Sequence, residues 1–427
     1  MKRLLASIVA TALLAPMLAS AENLLDVYAQ ARAADPVLAA ADAARGVQAE
    51  LAVQARARLL PQWNASAADY RSRPDDSSGN TLASHISQTL IDLGQLRSLD
   101  TAQTLLSAQD AQLRAAEQDL RARVAAAYFG VLSAQASLTT AEANESAFAQ
   151  QVEQAKSRFD SGLSAAVDVE QARAYAQLAR GGTVQARQSL ADAREALAQI
   201  TGRSPGTLQP LVADLPALPP QPSDPQAWVA RALASNPALS AQQLQVEASS
   251  HAVAAARAAH LPTLTLGVDT SRQRGNGIYL PTDLRTSTQF GVTLNIPIFA
   301  GGATQSQVRQ ASLQRESQRD QAEIVRRALI REVNGEYQAV LAGVAQMEAG
   351  RAATLAADKA VESTRAGQEL GTRTMTDLLL GIQTQAQAQN AYEQARHRYV
   401  LATLLLQQAA GSLGDAELAA VNSLLKD

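Results

Sequence analysis

Residues Leu370–Leu379 read LGTRTMTDLL, and residues Ser161–Val169 read SGLSAAVDV. Each sets a glycine and, six residues later, an aspartate into a long run of Ala, Gln and Leu: Gly162 and Asp168 in one, Gly371 and Asp377 in the other. Glycine accepts the left-handed backbone that ends a helix and turns the chain, and an acidic side chain suits the first turn of the helix that follows. The two stretches therefore predict two helical-hairpin tips. Their offset of 209 residues raises the question of whether everything around them is duplicated too.

It is. Tyr128 returns as Tyr337 and Gly202 as Gly411 at the same 209-residue offset, whereas Asp35-Pro36 and Leu60-Pro61 return as Asn236-Pro237 and Leu261-Pro262 at 201. Two constant offsets with one jump between them predict a tandem duplication whose second copy is about eight residues longer in one place. Proline marks the joint, because one inside a helix costs about 3 kcal/mol. None occurs from Asp75 to Ser204 or after Pro297, while Pro205, Pro210, Pro216, Pro219, Pro220, Pro222 and Pro225 crowd one segment. This gives a first repeat over 22–203, a proline-rich linker over 204–225 and a second repeat over 226–427.

The extra residues fall where the periodicity changes. From Gln289 to Ile298 the sequence QFGVTLNIPI alternates, with Phe290, Val292, Leu294 and Ile296 as candidate lipid-facing positions between polar or small neighbours. Leu264, Leu266 and Val268 alternate likewise, so a β-hairpin is predicted at about 263–299 and a more weakly patterned one at about 62–93. Strands of this length at a tilt of about 45° match a bilayer's hydrocarbon. Four strands cannot close a barrel, so either the sheet is soluble or several chains combine. Trp63, Tyr70, Tyr279 and Phe299 are placed near membrane interfaces by position.

After each hairpin about 65 residues precede the tip glycine, enough at about 1.5 Å per residue for a helix near 100 Å long, and a returning helix of about 35 to 40 residues follows. Helices of that length indicate a coiled coil or a helical barrel. Scarce aromatics, 4% of the chain, and abundant Ala favour close helix-on-helix contact.

The first 21 residues carry Lys2 and Arg3, a short apolar run and Ala19-Ser20-Ala21, which predicts a signal peptide cleaved between Ala21 and Glu22. The mature formal charge is then −5 rather than −3, which does not invite nucleic acid. With no cysteine there is no disulfide, thiolate nucleophile, cysteine-based metal site or lipid on an N-terminal cysteine. Gly202-Arg203-Ser204-Pro205-Gly206 fits G-x-S-x-G, but a nucleophile elbow needs a strand before it and a helix after it. His85, His251, His260 and His397 show neither a metal-binding spacing nor a carboxylate partner in sequence. No enzyme activity, metal or cofactor is expected.

Several pieces taken in order carry a family resemblance: ENLLDVYAQARAADP at Glu22, LLPQ and HLPTL before the hairpins, IPIFAGG after the fourth strand, AQITG, ELGTRTMTDLL and the terminal GSLGDAELAAVNSLL. Together they resemble the TolC family of outer-membrane channels. The resemblance implies a mainly α fold of long tandem-duplicated hairpins forming a periplasmic α-helical barrel. Its four β-strands per chain would contribute to a twelve-stranded β-barrel of a homotrimer in the outer membrane, in contact with outer-membrane lipid. It implies a channel-tunnel for efflux of small molecules or type I protein secretion, working with a periplasmic adaptor protein and an inner-membrane transporter. The tips, Gly162, Leu163, Gly371 and Thr372, become adaptor-docking candidates, and Asp168, Arg373 and Asp377 candidates for a periplasmic gate. Two departures bear on that gate: Leu380 stands where a second ring aspartate is expected, and Gln368 replaces an aromatic. Apart from the resemblance, a periplasmic coiled-coil scaffold with soluble hairpins is the alternative.

Overall fold

The computed structural model describes residues 21–73, 76–276 and 283–426. The expected signal segment before Ala21, and Tyr279, lie outside the described residues. The first repeat runs α1 (Leu24–Ala34), α2 (Pro36–Ala57), β1 (Gln62–Ser72), β2 (Ser77–Ile91), α3 (Leu93–Asp160) and α4 (Ala166–Thr201). The second runs α5 (Pro225–Ser235), α6 (Pro237–Ala258), β3 (Thr263–Gly275), β4 (Arg285–Asn295), α7 (Ala303–Glu369) and α8 (Met375–Ala409), closed by α9 (Asp415–Asn422).

Local sequence explains where these helices begin. Pro36, Pro225 and Pro237 each occupy a first helical position, where no backbone N–H is needed, behind the capping side chains of Asp35, Asp224 and Asn236. The long helices α3 and α7 have 68 and 67 residues, about 100 Å at the α-helical rise. Neither is covered by one partner: α2 and α4 follow one another along α3, and α6 and α8 do the same along α7.

The duplication extends to single hydrogen bonds. The Tyr128 hydroxyl donates to the Glu22 carbonyl at 3.1 Å, and its counterpart Tyr337 donates to the Ser223 carbonyl at 2.5 Å. Glu22 and Ser223 are themselves equivalent at the 201-residue offset. The linker is a packed strap rather than a loose tether: Leu208, Leu211 and Leu215 are buried, Leu208 bridges Glu22 and Leu211 bridges Leu425. Tyr399 pins it further, its hydroxyl accepting from the Leu218 N–H and donating to the Leu218 carbonyl. G-x-S-x-G lies here, after helix α4 and ahead of the strap, with none of the strand–turn–helix geometry of an elbow.

The large core lies around this strap, where α1, α9, the middles of α3 and α7 and the C-terminal half of α8 meet. His397 is buried in it, its ring 6.2 Å from Phe129, and both burial and the adjacent Arg396 push its pKa down to about 4. Since the folded value lies below the unfolded value of about 6.5, stability is full above pH 6.5 and is lost as pH falls toward 4. Acidification from pH 7 to 4 is expected to cost about 3 kcal/mol per chain through this residue. Chemical denaturation across that range checks it: His397→Phe should flatten the acid limb, and an unchanged slope would contradict it.

The two repeats are not equally covered. Helix α6 packs against both α3 and α7 and buries six residues, whereas α2 packs on α3 alone and buries none. Ala248 of α6 is 1% exposed, but Val47, its counterpart in α2, is 62% exposed. The flank formed by α2 is therefore half of a groove that α6 finds complete within its own chain.

Candidate functional site

The four strands form one antiparallel sheet in the order β1-β2-β3-β4. Its register sorts every side chain to one of two faces, since directly paired residues share a side and neighbours along a strand alternate. One face carries the row Trp63–Ile86–Val268–Phe290 across all four strands, with Leu266 and Val292, then Leu264 and Leu294, toward the helical end. The opposite face carries Gln62–Ser87–Gly267–Gly291, Asn64–His85–Asp269–Gln289 and Ser66–Ala83–Ser271–Ser287. From the Trp63 row toward the helical end the sheet is thus largely apolar on one side, Gln88 beside Leu266 excepted, and polar or small on the other. Phe290, Val292 and Leu294 are 74%, 63% and 59% exposed, so among the described residues nothing covers this part of the apolar side.

Three expectations change here. Ile296 lies just past β4, which ends at Asn295 because Pro297 has no N–H for the ladder and restricts the residue before it. Tyr70 falls on the polar face with Asn64, not on the face of Trp63, because both are even positions of one strand. His85 does have a carboxylate partner: its Nδ1 lies 2.6 Å from Asp269 Oδ1, a cross-strand neighbour 184 residues away and invisible without the register. Among the described residues no cluster suited to a metal ion occurs, and no helix is long and apolar enough to cross a membrane.

The far ends of the helical hairpins are built as a matched pair. Gly162 and Gly371 have φ of 73° and 77°, the left-handed conformation. At each the next residue reaches back five positions, Leu163 N–H to the Arg158 carbonyl and Thr372 N–H to the Gly367 carbonyl, both at 2.8 Å. These are equivalent bonds at the 209-residue offset, and they satisfy carbonyls that a helix end leaves open. Leu163, Gly371 and Thr372 are exposed at the tips.

Both aspartates cap the returning helices. Asp377 accepts from Thr374 N–H and its own N–H donates to Thr374 Oγ1, each at 3.1 Å, a complete capping box. The Thr374 backbone and hydroxyl hold its carboxyl below the usual carboxylate range, and Arg373 adds a smaller pull. Asp168 accepts from Ala165 N–H at 3.3 Å, but alanine offers no hydroxyl in return. Arg373 is exposed, and among the described residues it makes no ion pair with Asp168 or any other carboxylate of its own chain.

Three features at the tips were not legible in sequence. Thr376 Oγ1 donates to Gln171 Oε1 at 2.8 Å and ties the first turns of α8 and α4 together. Gln368 is buried beside Met375, not exposed to an entrance. The stem of Arg373 lies over Gly367, where a Cβ would come within 2.7 Å of Arg373 Cγ. Gly367 sits four residues before Gly371, a glycine inside a helix and the one visible sign of this contact. Beneath the tips Phe148, Val169, Val361, Leu378, Leu379 and Ile382 join all four helices into a second, smaller core.

A two-faced antiparallel sheet, carried on paired hairpins about 100 Å long, fits the subunit of an outer-membrane channel. The Outer membrane efflux protein family model matches residues 27–203 and 228–413, and the chain belongs to that family. It is 33% identical over 415 residues to outer membrane protein TolC of Vibrio cholerae, covering 95% of this chain and 94% of that one. It is 28% identical over 420 residues to alkaline protease secretion protein AprF of Pseudomonas aeruginosa, covering 94% and 86%. The crystal structure of the CmeC outer membrane channel of Campylobacter jejuni superposes with a TM-score of 0.82 at 17% identity, over 95% and 90% of the two chains. The protein is an outer-membrane efflux and secretion channel, not an enzyme, and the scaffold alternative falls with that membership.

Proposed function

We propose that three copies close into one conduit and that it serves an export machine whose energy comes from the inner membrane. The observation that carries this is the pair of free edges on a sheet with an uncovered apolar face. Among the described residues strands β1 and β4, 11 residues each, have no partner on their outer sides. Open edges are untenable in lipid, and joining β1 of one copy to β4 of the next in a ring of three gives twelve strands with no edge. The half-groove of α2 supports the same arrangement: α7 of the next copy would complete it as α7 completes the groove of α6. The test is membrane fractionation followed by sizing and planar-bilayer recording. A conducting outer-membrane trimer is expected; a monomer in the soluble periplasm would defeat the proposal.

The periplasmic end is where an adaptor protein docks in this reading, on the exposed turns at Gly162, Leu163, Gly371 and Thr372, with an inner-membrane transporter beyond it. Small-molecule efflux and polypeptide secretion share such a tunnel, and the likeness to a protein named for protease secretion supports the latter use. Ala21–Glu22 remains the proposed processing point, and Glu22 is held in the fold, its N–H bonding the Thr207 carbonyl at 2.7 Å.

The gate is proposed to form between copies. Among the described residues Arg373 has no acidic partner, and a ring of three tips would bring it to Asp168 or Asp377 of a neighbour. Exposed pairs are worth roughly 0.2 to 1 kcal/mol each, whereas moving a gate from 1:99 to 99:1 takes about 5.5 kcal/mol. Charge therefore biases the tip, and packing such as the Thr376–Gln171 link supplies the rest. Arg373→Ala and Asp168→Ala are each expected to raise resting conductance a few-fold in planar bilayers, by roughly the factor of one exposed pair. Unaltered conductance in both would remove the charges from the gate.

A further inference from the structure

We propose that the outward side of the strand wall carries a binding site for a phosphorylated lipid of the outer leaflet, built on Arg272 and Arg274; the inference rests on the channel reading above. On the apolar face the rows from Leu264–Leu294 up to Ala65–Ser84–Thr270–Thr288 contain no charged residue. The next rows are Ala67–Leu82–Arg272–Thr286 and Asp69–Asn80–Arg274, with Arg71 beside Ser78 above them. Three guanidiniums and one carboxylate thus begin abruptly at one height, on the same side as the lipid-facing apolar residues. Arg71, Arg272 and Arg274 are exposed, and among the described residues none has an ion-pair partner.

The height fits a headgroup. Eight residues separate Leu264 from Arg272, about 27 Å along the strand and about 19 Å across a bilayer at a 45° tilt. The apolar band of such barrels is about 25 Å tall, so upward-reaching arginines at this level meet the phosphate layer of the leaflet remote from the helices. Arginine pairs two N–H groups with phosphate oxygens, and two arginines at alternate positions of one strand present two such forks in line. Beside them Leu284, from the connection between β3 and β4, helps enclose a depression of about 460 Å³ with Ala67, Asp69, Leu82 and Arg272. Leu82 and Leu284 are 54% and 49% exposed and give an acyl chain an apolar floor below the charges.

The test uses the full-length protein, purified and placed in phosphatidylcholine nanodiscs containing either diphosphorylated lipid A or the same glycolipid with its phosphates removed. Native mass spectrometry then counts retained glycolipid. The wild type is expected to retain the phosphorylated form, and the double variant Arg272→Gln with Arg274→Gln to retain about a hundredfold less, the loss of two charge-assisted contacts. Arg285→Gln, whose residue pairs with Gln273 on the polar face, should leave retention unchanged. Equal retention by the double variant, equal retention of the dephosphorylated lipid, or full displacement by millimolar inorganic phosphate would each overturn the lipid site. Planar-bilayer conductance of the same preparations reports the channel reading separately, so a conducting double variant with undiminished lipid overturns this inference alone.

Discussion

Gly411→Ala is expected to destabilise each chain by about 3 kcal/mol or more and to deplete the protein from the outer membrane, while Gly202→Ala costs about 1. Both glycines end returning helices in the left-handed region, with φ of 73° and 74°, so both substitutions carry the same backbone strain. They differ in what a Cβ would meet. At position 411 it would lie 2.6 Å from the Ser235 carbonyl oxygen and 2.7 Å from the backbone N and Cα of Asn236; at 202 the nearest atom is Ala34 Cβ at 3.5 Å. The joint is equivalent in the two repeats but closed more tightly in the second, and the reason lies in two substitutions between copies, Ser235 for Ala34 and Asn236 for Asp35. Asn236 donates to the Ala409 carbonyl at 3.1 Å, and the Ser235 hydroxyl, which donates to the Arg231 carbonyl at 2.7 Å, lies 3.2 Å from the Ala410 carbonyl, so α5, α6 and the end of α8 come together. Asp35, in the place of Asn236, instead takes two bonds from Arg123, at 3.1 and 2.8 Å, and leaves its helix end more room. Thermal melting of the two purified variants, with immunoblots of outer-membrane fractions, checks the contrast. Equal melting temperatures would show that backbone strain alone governs both sites.

That contrast marks where sequence reading succeeds and where it stops. Gly202 and Gly411 were legible as equivalent landmarks because left-handed turns accept so few residues that the glycine itself is the signal. The same holds for the tips, and for the long helices, whose ends are set by capping side chains and by the confinement of proline. Strand existence was legible in β3 and β4 from alternation, less so in β1, where Asn64, Ala65, Ser66, Ala67 and Ala68 contrast little between faces. What sequence leaves open is anything fixed by register or by packing between distant segments. The His85–Asp269 pair depends on which residue of β2 faces which of β3, and Gln368 goes inward because Met375 of the returning helix closes over it. Arg373 had no local role in the sequence, and among the described residues of the folded chain it still has no acidic partner, which is what directs attention to the contacts between copies.

Phe290→Lys is expected to abolish assembly, whereas Gln289→Lys, one residue earlier on the same strand, should assemble and change only conduction. Phe290 closes the row Trp63–Ile86–Val268–Phe290 on the apolar face, and Gln289 closes Asn64–His85–Asp269–Gln289 on the polar one. A lysine near the middle of a barrel's lipid face costs about 2 to 4 kcal/mol, and in the proposed trimer three copies would bear it together, a total of about 6 to 12. That is comparable to the whole stability of an ordinary domain. On the polar face the same three ammoniums stand in water beside Asp269, so folding is nearly unaffected while three positive charges enter the lumen and shift its ion preference toward anions. Outer-membrane fractionation and trimer sizing read the first effect, and reversal potentials in asymmetric salt read the second. If Gln289→Lys is the variant that fails to assemble and Phe290→Lys the one that conducts, the two faces of the sheet have been assigned the wrong way round, and the arginine site on the outward face is lost with them. If both assemble, the strands do not meet lipid at this height, because no other consequence of the register would spare a lysine in place of Phe290.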